Sequence, residues 1–303
     1  MSPQPAVQAI LGTEWVDGDA QIRVLTIDQP ASTLVSPIGL HLNYRITETP
    51  TRWCVGHHSQ SRGYVDCSSR PEERSRTCTT CSVAEAVFAS QLHHAHTEPS
   101  RVTDSAMVQH LQQPNLLYLA GFRDGSVKIG TSTAVRIEKR LLEQGAWQAR
   151  IVAEAADGYS VRIAEDLITT SLHIPQSVSA SRKLAGLGRP LTDETLTARL
   201  EPLATEVTHL LTRQNDSRVV ATSTTWTNPA AARPIWDRVR TYPLDARVGA
   251  HDLEILDIVG RMVAARRTGT DDIFAIDLQR LYGIELNLGD HQADELVIQD
   301  ALF

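Results

Sequence analysis

The run from Asn115 to Glu165 constrains this chain most, because its apolar pattern changes from strand to strand to helix to helix over one short stretch. Leu116-Leu117-Tyr118-Leu119-Ala120-Gly121 reads as an apolar strand and Val127-Lys128-Ile129-Gly130 as its returning partner. Between them, Phe122 to Ser126 forms a turn carrying Asp124-Gly125. The pair is a β-hairpin in expectation. Beyond it, Val135, Ile137, Leu141 and Leu142 recur at helical spacing, and Gly145 supplies a stop. A second helix is expected from about 159 to 172, with Asp157-Gly158 as the preceding turn and Val161, Ile163, Ala164, Leu167 and Ile168 as its apolar stripe. Glu165 lies in that stripe or at its edge. A tyrosine, a lysine, an arginine and a carboxylate therefore belong to one compact unit.

Over about 112–190 this order resembles the GIY-YIG nuclease superfamily, whose domain opens on two strands bearing the name-giving tripeptides and continues with an arginine-bearing and a glutamate-bearing helix. Leu116-Leu117-Tyr118 stands at the first tripeptide, Lys128-Ile129-Gly130 at the second, Arg140 (with Arg136 as the other candidate) at the helix arginine, and Glu165 at the glutamate. The resemblance implies phosphodiester hydrolysis. Tyr118, Lys128 and Arg140 would orient water and phosphate, Lys128, Arg136 and Arg140 would bind substrate, and Glu165 would hold a catalytic Mg²⁺ or Mn²⁺. This chain departs from the pattern in carrying Lys128 where the superfamily has tyrosine. A lysine works as a base only if burial or a cationic neighbour brings its pKa well below about 10.4; otherwise its easier role is to bind phosphate. The region of the superfamily's late polar residue, usually asparagine, holds Ser179, Ser181 and Arg182.

All four cysteines, Cys54, Cys67, Cys78 and Cys81, lie together and none occurs elsewhere. Met1-Ser2-Pro3-Gln4-Pro5 has neither a charged start nor an apolar segment, so the expected compartment is the cytoplasm, where thiols stay reduced. Clustered reduced thiols point to a structural Zn²⁺, and Cys78-Thr79-Thr80-Cys81 has the two-residue gap of a zinc knuckle. Four thiolates, or three with His57 or His58, would complete the tetrahedron. The surrounding segment, about 52–82, has too few apolar residues for a core of its own, so a metal would stabilise it. Arg62, Arg70, Arg74 and Arg76 lie among Asp66, Glu72 and Glu73, which reads as a solvated surface. His93-His94-x-His96 reads as a polar helix end or linker.

With the cysteines included, the chain resembles the uncharacterised domain of unknown function family 2797. The resemblance is carried by Cys54-Val55-Gly56, Cys67, Cys78-x-x-Cys81, Tyr118-Leu119-Ala120, Lys128-Ile129-Gly130, Arg140 with Gln144-Gly145-Ala146, and Glu165. That family implies an architecture and supplies no activity.

The flanks complete the organisation. Residues 21–27 and 39–46 read as strands and need partners, which 273–278 and the alternating Ile284-Glu285-Leu286-Asn287-Leu288 can supply. The fold class expected is α+β, with a zinc-binding module and a GIY-YIG-like unit inserted between the halves of a β-rich domain formed by the termini. Its parts are 1–50 (β-rich), 51–100 (zinc module and linker), 101–190 (GIY-YIG-like), 191–248 (helix and linker) and 249–303 (β-rich, packing with 1–50). Leu196, Leu200, Leu203, Val207, Leu210 and Leu211 mark an amphipathic helix starting near Thr192-Asp193 despite Pro202, and 217–234 reads as a linker or surface crossing. Trp226 and Trp236 are expected to pack against the protein.

A net charge of -7 argues against a protein that coats nucleic acid non-specifically. Residues 101–190 nevertheless carry eleven Lys/Arg against eight Asp/Glu, which permits a local basic surface. No run of about 18 apolar residues suggests a membrane span, and no P-loop or dinucleotide fingerprint occurs. The functions left open are a metal-dependent phosphodiester hydrolase acting on nucleic acid, a binding module for nucleic acid or nucleotide that has lost turnover, and a protein-interaction scaffold. Oligomeric state is not legible.

Overall fold

The computed structural model describes residues 7–296 other than 27, 28, 30, 73, 74 and 94. Met1 to Pro5, Ile27, Glu73, Arg74, His94 and the side chain of His93 lie outside the described residues. The fold is mixed α+β. Its first half comprises β1 (Val7–Val16), β2 (Asp19–Thr26), β3 (Thr33–Val35), β4 (His41–Ile46), β5 (His57–Ser59), β6 (Gly63–Val65), α1 (Thr79–His93), α2 (Ser105–Leu111), β7 (Asn115–Gly121), β8 (Val127–Thr133) and α3 (Ile137–Gln144). There follow β9 (Gln148–Ala155), α4 (Gly158–Leu172), α5 (Ala180–Gly188), α6 (Asp193–Gln214), β10 (Val219–Thr227), β11 (Arg240–Thr241), β12 (Gly249–Val259), β13 (Met262–Arg267), β14 (Ile273–Asp277) and β15 (Asn287–Leu288). The described residues form two compact units, one within 1–57, 66–81 and 234–303, the other within 58–65 and 82–233.

The first unit is built on β-sheets. A six-stranded sheet runs in the order β11-β14-β13-β12-β4-β15, and a three-stranded one in the order β1-β2-β3. In β4, Leu42, Tyr44 and Ile46 are buried while His41 and Arg45 are exposed, the period-two pattern of a strand with one face on a core. Strand β4 pairs antiparallel with β12, Leu42 opposite Leu253 and Tyr44 opposite His251. Ile10, Ile22, Val24, Ile255, Phe274 and Ile276 fill the same core. The expected strand 284–288 is corrected: only Asn287–Leu288 joins the sheet, through β4, while Ile284 bridges Arg52 and Glu285 bridges Ala9. Gly283 at φ 71° bends the chain just before this stretch, so successive residues meet different partners although Ile284 and Leu286 are both buried.

The second unit has a four-stranded sheet, order β10-β9-β7-β8, with every neighbour antiparallel. The turn between β7 and β8 closes through Gly125 N–H to Phe122 O (2.8 Å) and Phe122 N–H to Ser126 O (3.0 Å). Asp124 Oδ1 accepts the Ser126 amide, and Gly125 takes φ 82°, as a left-handed turn position favours. Helix α3 ends on Gly145 at φ 66°, whose N–H reaches Leu141 and Leu142 carbonyls. The Asp157 carboxylate caps α4 by accepting Tyr159 and Ser160 amides, and Thr192 caps α6. Leu196, Leu200, Val207, Leu210 and Leu211 are buried along α6, Pro202 notwithstanding.

Two local expectations change here. Residues 219–227 form a strand, β10, where a linker was expected. Their β-branched Val and Thr pair with β9, and only the following Asn-Pro-Ala stretch forms irregular turns. Val135 is 88% exposed because 134–136 is a 3₁₀ turn preceding α3. The tryptophans pack as expected: Trp236 is buried with its indole N–H on Asp257 (2.7 Å), and Trp226 lies against the cluster containing Tyr118 and Leu141.

Candidate functional site

The four cysteines come together in the first unit. Their sulfur atoms all lie within 4.8 Å of one another, and the thiols are free. Cys67 Sγ and Cys78 Sγ are 3.7 Å apart. That is too long for a disulfide, yet it matches the ~3.8 Å edge of a tetrahedron whose metal–sulfur bonds are about 2.3 Å. Cys54 and Cys81 are buried. Burial pushes both thiols up, whereas the Cys81 backbone amide helps bring Cys78 down to about 7. A bound cation would supply the charge that turns all four into thiolates. The Cys78 amide donates to Cys54 Sγ (3.2 Å), and His57 Nδ1 lies 3.3 Å from Cys81 Sγ. The tetrad could hold a structural metal such as zinc, and His57 is placed to support a sulfur ligand from outside it.

The second constellation lies on the β7–β8 hairpin and its helices. Tyr118 pairs across the strands with Gly130, and Ala120 with Lys128, so Tyr118 and Lys128 share one face of the hairpin. Gly130 is needed there because a Cβ would come within 2.6 Å of the Tyr118 ring and hydroxyl. Tyr118 is fully buried. Burial pushes its phenol up, and the neighbouring Arg140 and the Gln144 amide only partly oppose that. It is therefore a protonated hydroxyl near neutral pH.

Lys128 is 8% exposed. Its ammonium donates to the Gln176 carbonyl (3.0 Å), and the next residue's amide, Ile129 N–H, donates to the Pro175 carbonyl (2.9 Å). The segment after α4 thus holds the outer edge of β8. Burial, with Arg140 and Lys183 in reach, pushes Lys128 down to about 8, and the Glu165 carboxylate pulls the other way.

Arg140 on α3 is exposed and pairs with no carboxylate among the described residues. Glu165 is 3% exposed, and its Oε2 accepts from Arg162 Nη1 at 2.6 Å. Arg136, by contrast, stands on the surface in a 3.3 Å pair with Glu143. Tyr118 and Lys128 thus lie within electrostatic reach of both Arg140 and Glu165, while Arg136 is turned to another partner.

Sequence reasoning missed four contributors. Gln144 Nε2 donates to Tyr118 Oη (2.5 Å) and to the Arg140 carbonyl (3.2 Å). Lys183 Nζ donates to the Gln144 carbonyl (2.8 Å) and sits 4.3 Å from the Phe122 ring centre. Arg162 and Gln176 complete the set. Two of these carried a signal: Gln144 follows Arg140 by four residues and Arg162 precedes Glu165 by three, both same-face helical spacings. Ser179 caps α5 and Arg182 pairs with Asp124 at 2.9 Å. His96 Nε2 meets Asp166 at 2.8 Å.

Residues 44–246 match the family described as protein of unknown function (DUF2797). The chain belongs to this family. The matched stretch takes in the cysteine tetrad and the whole Tyr118–Glu165 constellation. No curated protein and no solved structure matches the chain. Among the described residues, no helix is long and apolar enough to cross a membrane.

Proposed function

We propose that this family member is a zinc-stabilised, GIY-YIG-like hydrolase of nucleic-acid phosphodiesters. The observation that carries the reading is Lys128, a buried amine brought down to about 8 at the position where the superfamily has its second tyrosine. An amine in that range is unprotonated often enough near neutral pH to take a proton from water. The strand order β8-β7-β9, with α3 between β8 and β9 and α4 after β9, supports the superfamily likeness. We read this unit and the zinc segment as inserted between the halves of the terminal β-rich domain. The cysteine tetrad would need a reducing compartment such as the cytoplasm to stay metallated.

In this reading Lys128 accepts the proton of the attacking water and Tyr118, as a neutral hydroxyl, orients it. Arg140 neutralises charge that develops on the phosphoryl oxygens. Glu165 keeps Oε1 without a hydrogen-bond partner among the described residues while Oε2 holds Arg162, and a single carboxylate oxygen suits Mg²⁺ or Mn²⁺. When bound there, the cation would supply further charge neutralisation on the phosphate.

A second reading rests on the same ion pair. Arg162 already neutralises Glu165, which favours a binding module that keeps Lys128 and Arg140 for phosphate and has lost turnover. Cleavage of single-stranded, duplex and branched DNA and RNA with Mg²⁺ or Mn²⁺, beside Glu165→Ala and chelator controls, separates the two. Cleavage that needs both Glu165 and the cation supports the hydrolase. Salt-sensitive, metal-independent binding without cleavage, lost in Lys128→Ala, supports the module.

A further inference from the structure

We propose that Gln144 is a positioning residue that fixes the polarity of the buried Tyr118 hydroxyl, occupying its acceptor side so that its own O–H must point away from α3. The proposal rests on the phosphodiester reading for what Tyr118 then does, but the hydrogen bond stands by itself. Gln144 Nε2 has two oxygen neighbours, Tyr118 Oη at 2.5 Å and the Arg140 carbonyl at 3.2 Å. A carbonyl can only accept, so the Arg140 contact requires the amide nitrogen on this side of the side chain. The same nitrogen must then donate to Tyr118, whose oxygen is the acceptor and whose own O–H is left to point elsewhere.

The opposite orientation of the amide would set its oxygen against the Arg140 carbonyl, two acceptors facing each other. The orientation found leaves Gln144 Oε1 buried and without a partner. Buried polar atoms are normally satisfied, and an exception calls for a reason. The reason here is that both donor contacts fall on the nitrogen. Lys183 restrains the same residue through its main chain, Nζ to the Gln144 carbonyl at 2.8 Å. On the other side of the ring, Gly130 leaves the space in which the phenol lies. The hydroxyl is thus held from two directions with its acceptor side occupied.

The titratable and charged groups facing Tyr118 are Arg140 from α3, whose guanidinium is a second hydrogen-bond donor to the phenolate beside Gln144, and Glu165 from α4; Arg140 is left unchanged in both variants, so the shift they read is that of Gln144. The test places 3,5-difluorotyrosine at position 118 of the full-length, zinc-loaded protein and follows its ionisation by ¹⁹F NMR in wild type, Gln144→Met and Gln144→Glu. Loss of a donor to the phenolate is expected to raise the midpoint by about one pH unit in Gln144→Met, and more in Gln144→Glu, where a carboxylate replaces the donor. With a cleaved substrate, kcat should fall at least tenfold with KM within a factor of two. A midpoint that stays in place in both folded variants overturns the proposal. Because the ¹⁹F titration needs no substrate, a protein that cleaves nothing would sink the hydrolase reading while leaving this measurement decisive for Gln144.

Discussion

The cysteine tetrad and the Tyr118–Lys128 constellation solve opposite problems. The first gathers four groups of one kind, two of them buried, into a cluster that could hold a tetrahedral cation, and a filled site of this type stabilises a segment poor in apolar residues. The second gathers unlike groups and, among the described residues, leaves the cations Lys128 and Arg140 without a carboxylate partner, beside a glutamate already engaged by Arg162. Burying Lys128 destabilises the fold unless a ligand offsets it. In the proposed reading, a metal in the tetrad adds stability, whereas the hairpin site holds charge for an anion.

The largest effect expected is on the tetrad. Structural zinc contributes on the order of 10–16 kcal/mol of binding free energy, so Cys54→Ser or Cys81→Ser should lose the metal and the folded cysteine segment. Metal content by atomic emission, with thermal melting of the same samples, checks this. Wild-type stability and no bound metal in the native protein would break the contrast at its first term.

Next, Glu165→Ala should abolish divalent-dependent cleavage, a loss on the order of 10²–10³-fold or more, with zinc content unchanged. Cleavage at the wild-type rate would remove Glu165 from the chemistry.

Lys128→Met sharpens the comparison most directly. At neutral pH the folded protein carries a buried ammonium whose pKa is about 8, below the ordinary 10.5. Between those values the unfolded chain binds more protons, so stability rises with pH from about 8 to 10.5, and the penalty is fully present below 8. The neutral, similarly long Met should stabilise the fold by about 1–3 kcal/mol at pH 7 while activity is lost; urea titration at pH 7 and pH 10 reads both. The wild-type rate should rise as pH climbs through about 8, because the base must be unprotonated, and a flat profile there would deny Lys128 that role.

Gly130→Ala is expected to cost about 1–3 kcal/mol, because its methyl would enter the Tyr118 ring; a chemical melt reads the loss. The smallest effect is expected at Arg136, whose exposed pair with Glu143 contributes about 0–1 kcal/mol. Arg136→Ala should change nucleic-acid affinity less than threefold in a fluorescence-anisotropy titration, and a larger drop would return it to the binding surface.

What could be read in advance was local. Asp124-Gly125 marked the hairpin, Gly145 the end of α3, Asp157 and Thr192 the starts of two helices, and Cys78-x-x-Cys81 half of the tetrad. Each depends on backbone conformation or ligand chemistry within a few residues. The misreadings came where distant partners decide. The Thr-rich stretch 219–227 is a strand only because β9 offers it an edge, and Ile284–Leu288 is split among Arg52, Ala9 and β4.

By itself, then, the sequence determined that four thiols would be clustered, that a hairpin would carry Tyr118 and Lys128, and that helices bearing Arg140 and Glu165 would follow. Only the tertiary structure decided that Lys128 is buried near three other cations, that Glu165 is held by Arg162, that Arg136 turns to Glu143, and that Gln144 donates to the Tyr118 hydroxyl. The reason is that covalent order sets residue type and local conformation, whereas burial, charge state and hydrogen-bond polarity depend on atoms that the folded backbone brings in from far along the chain.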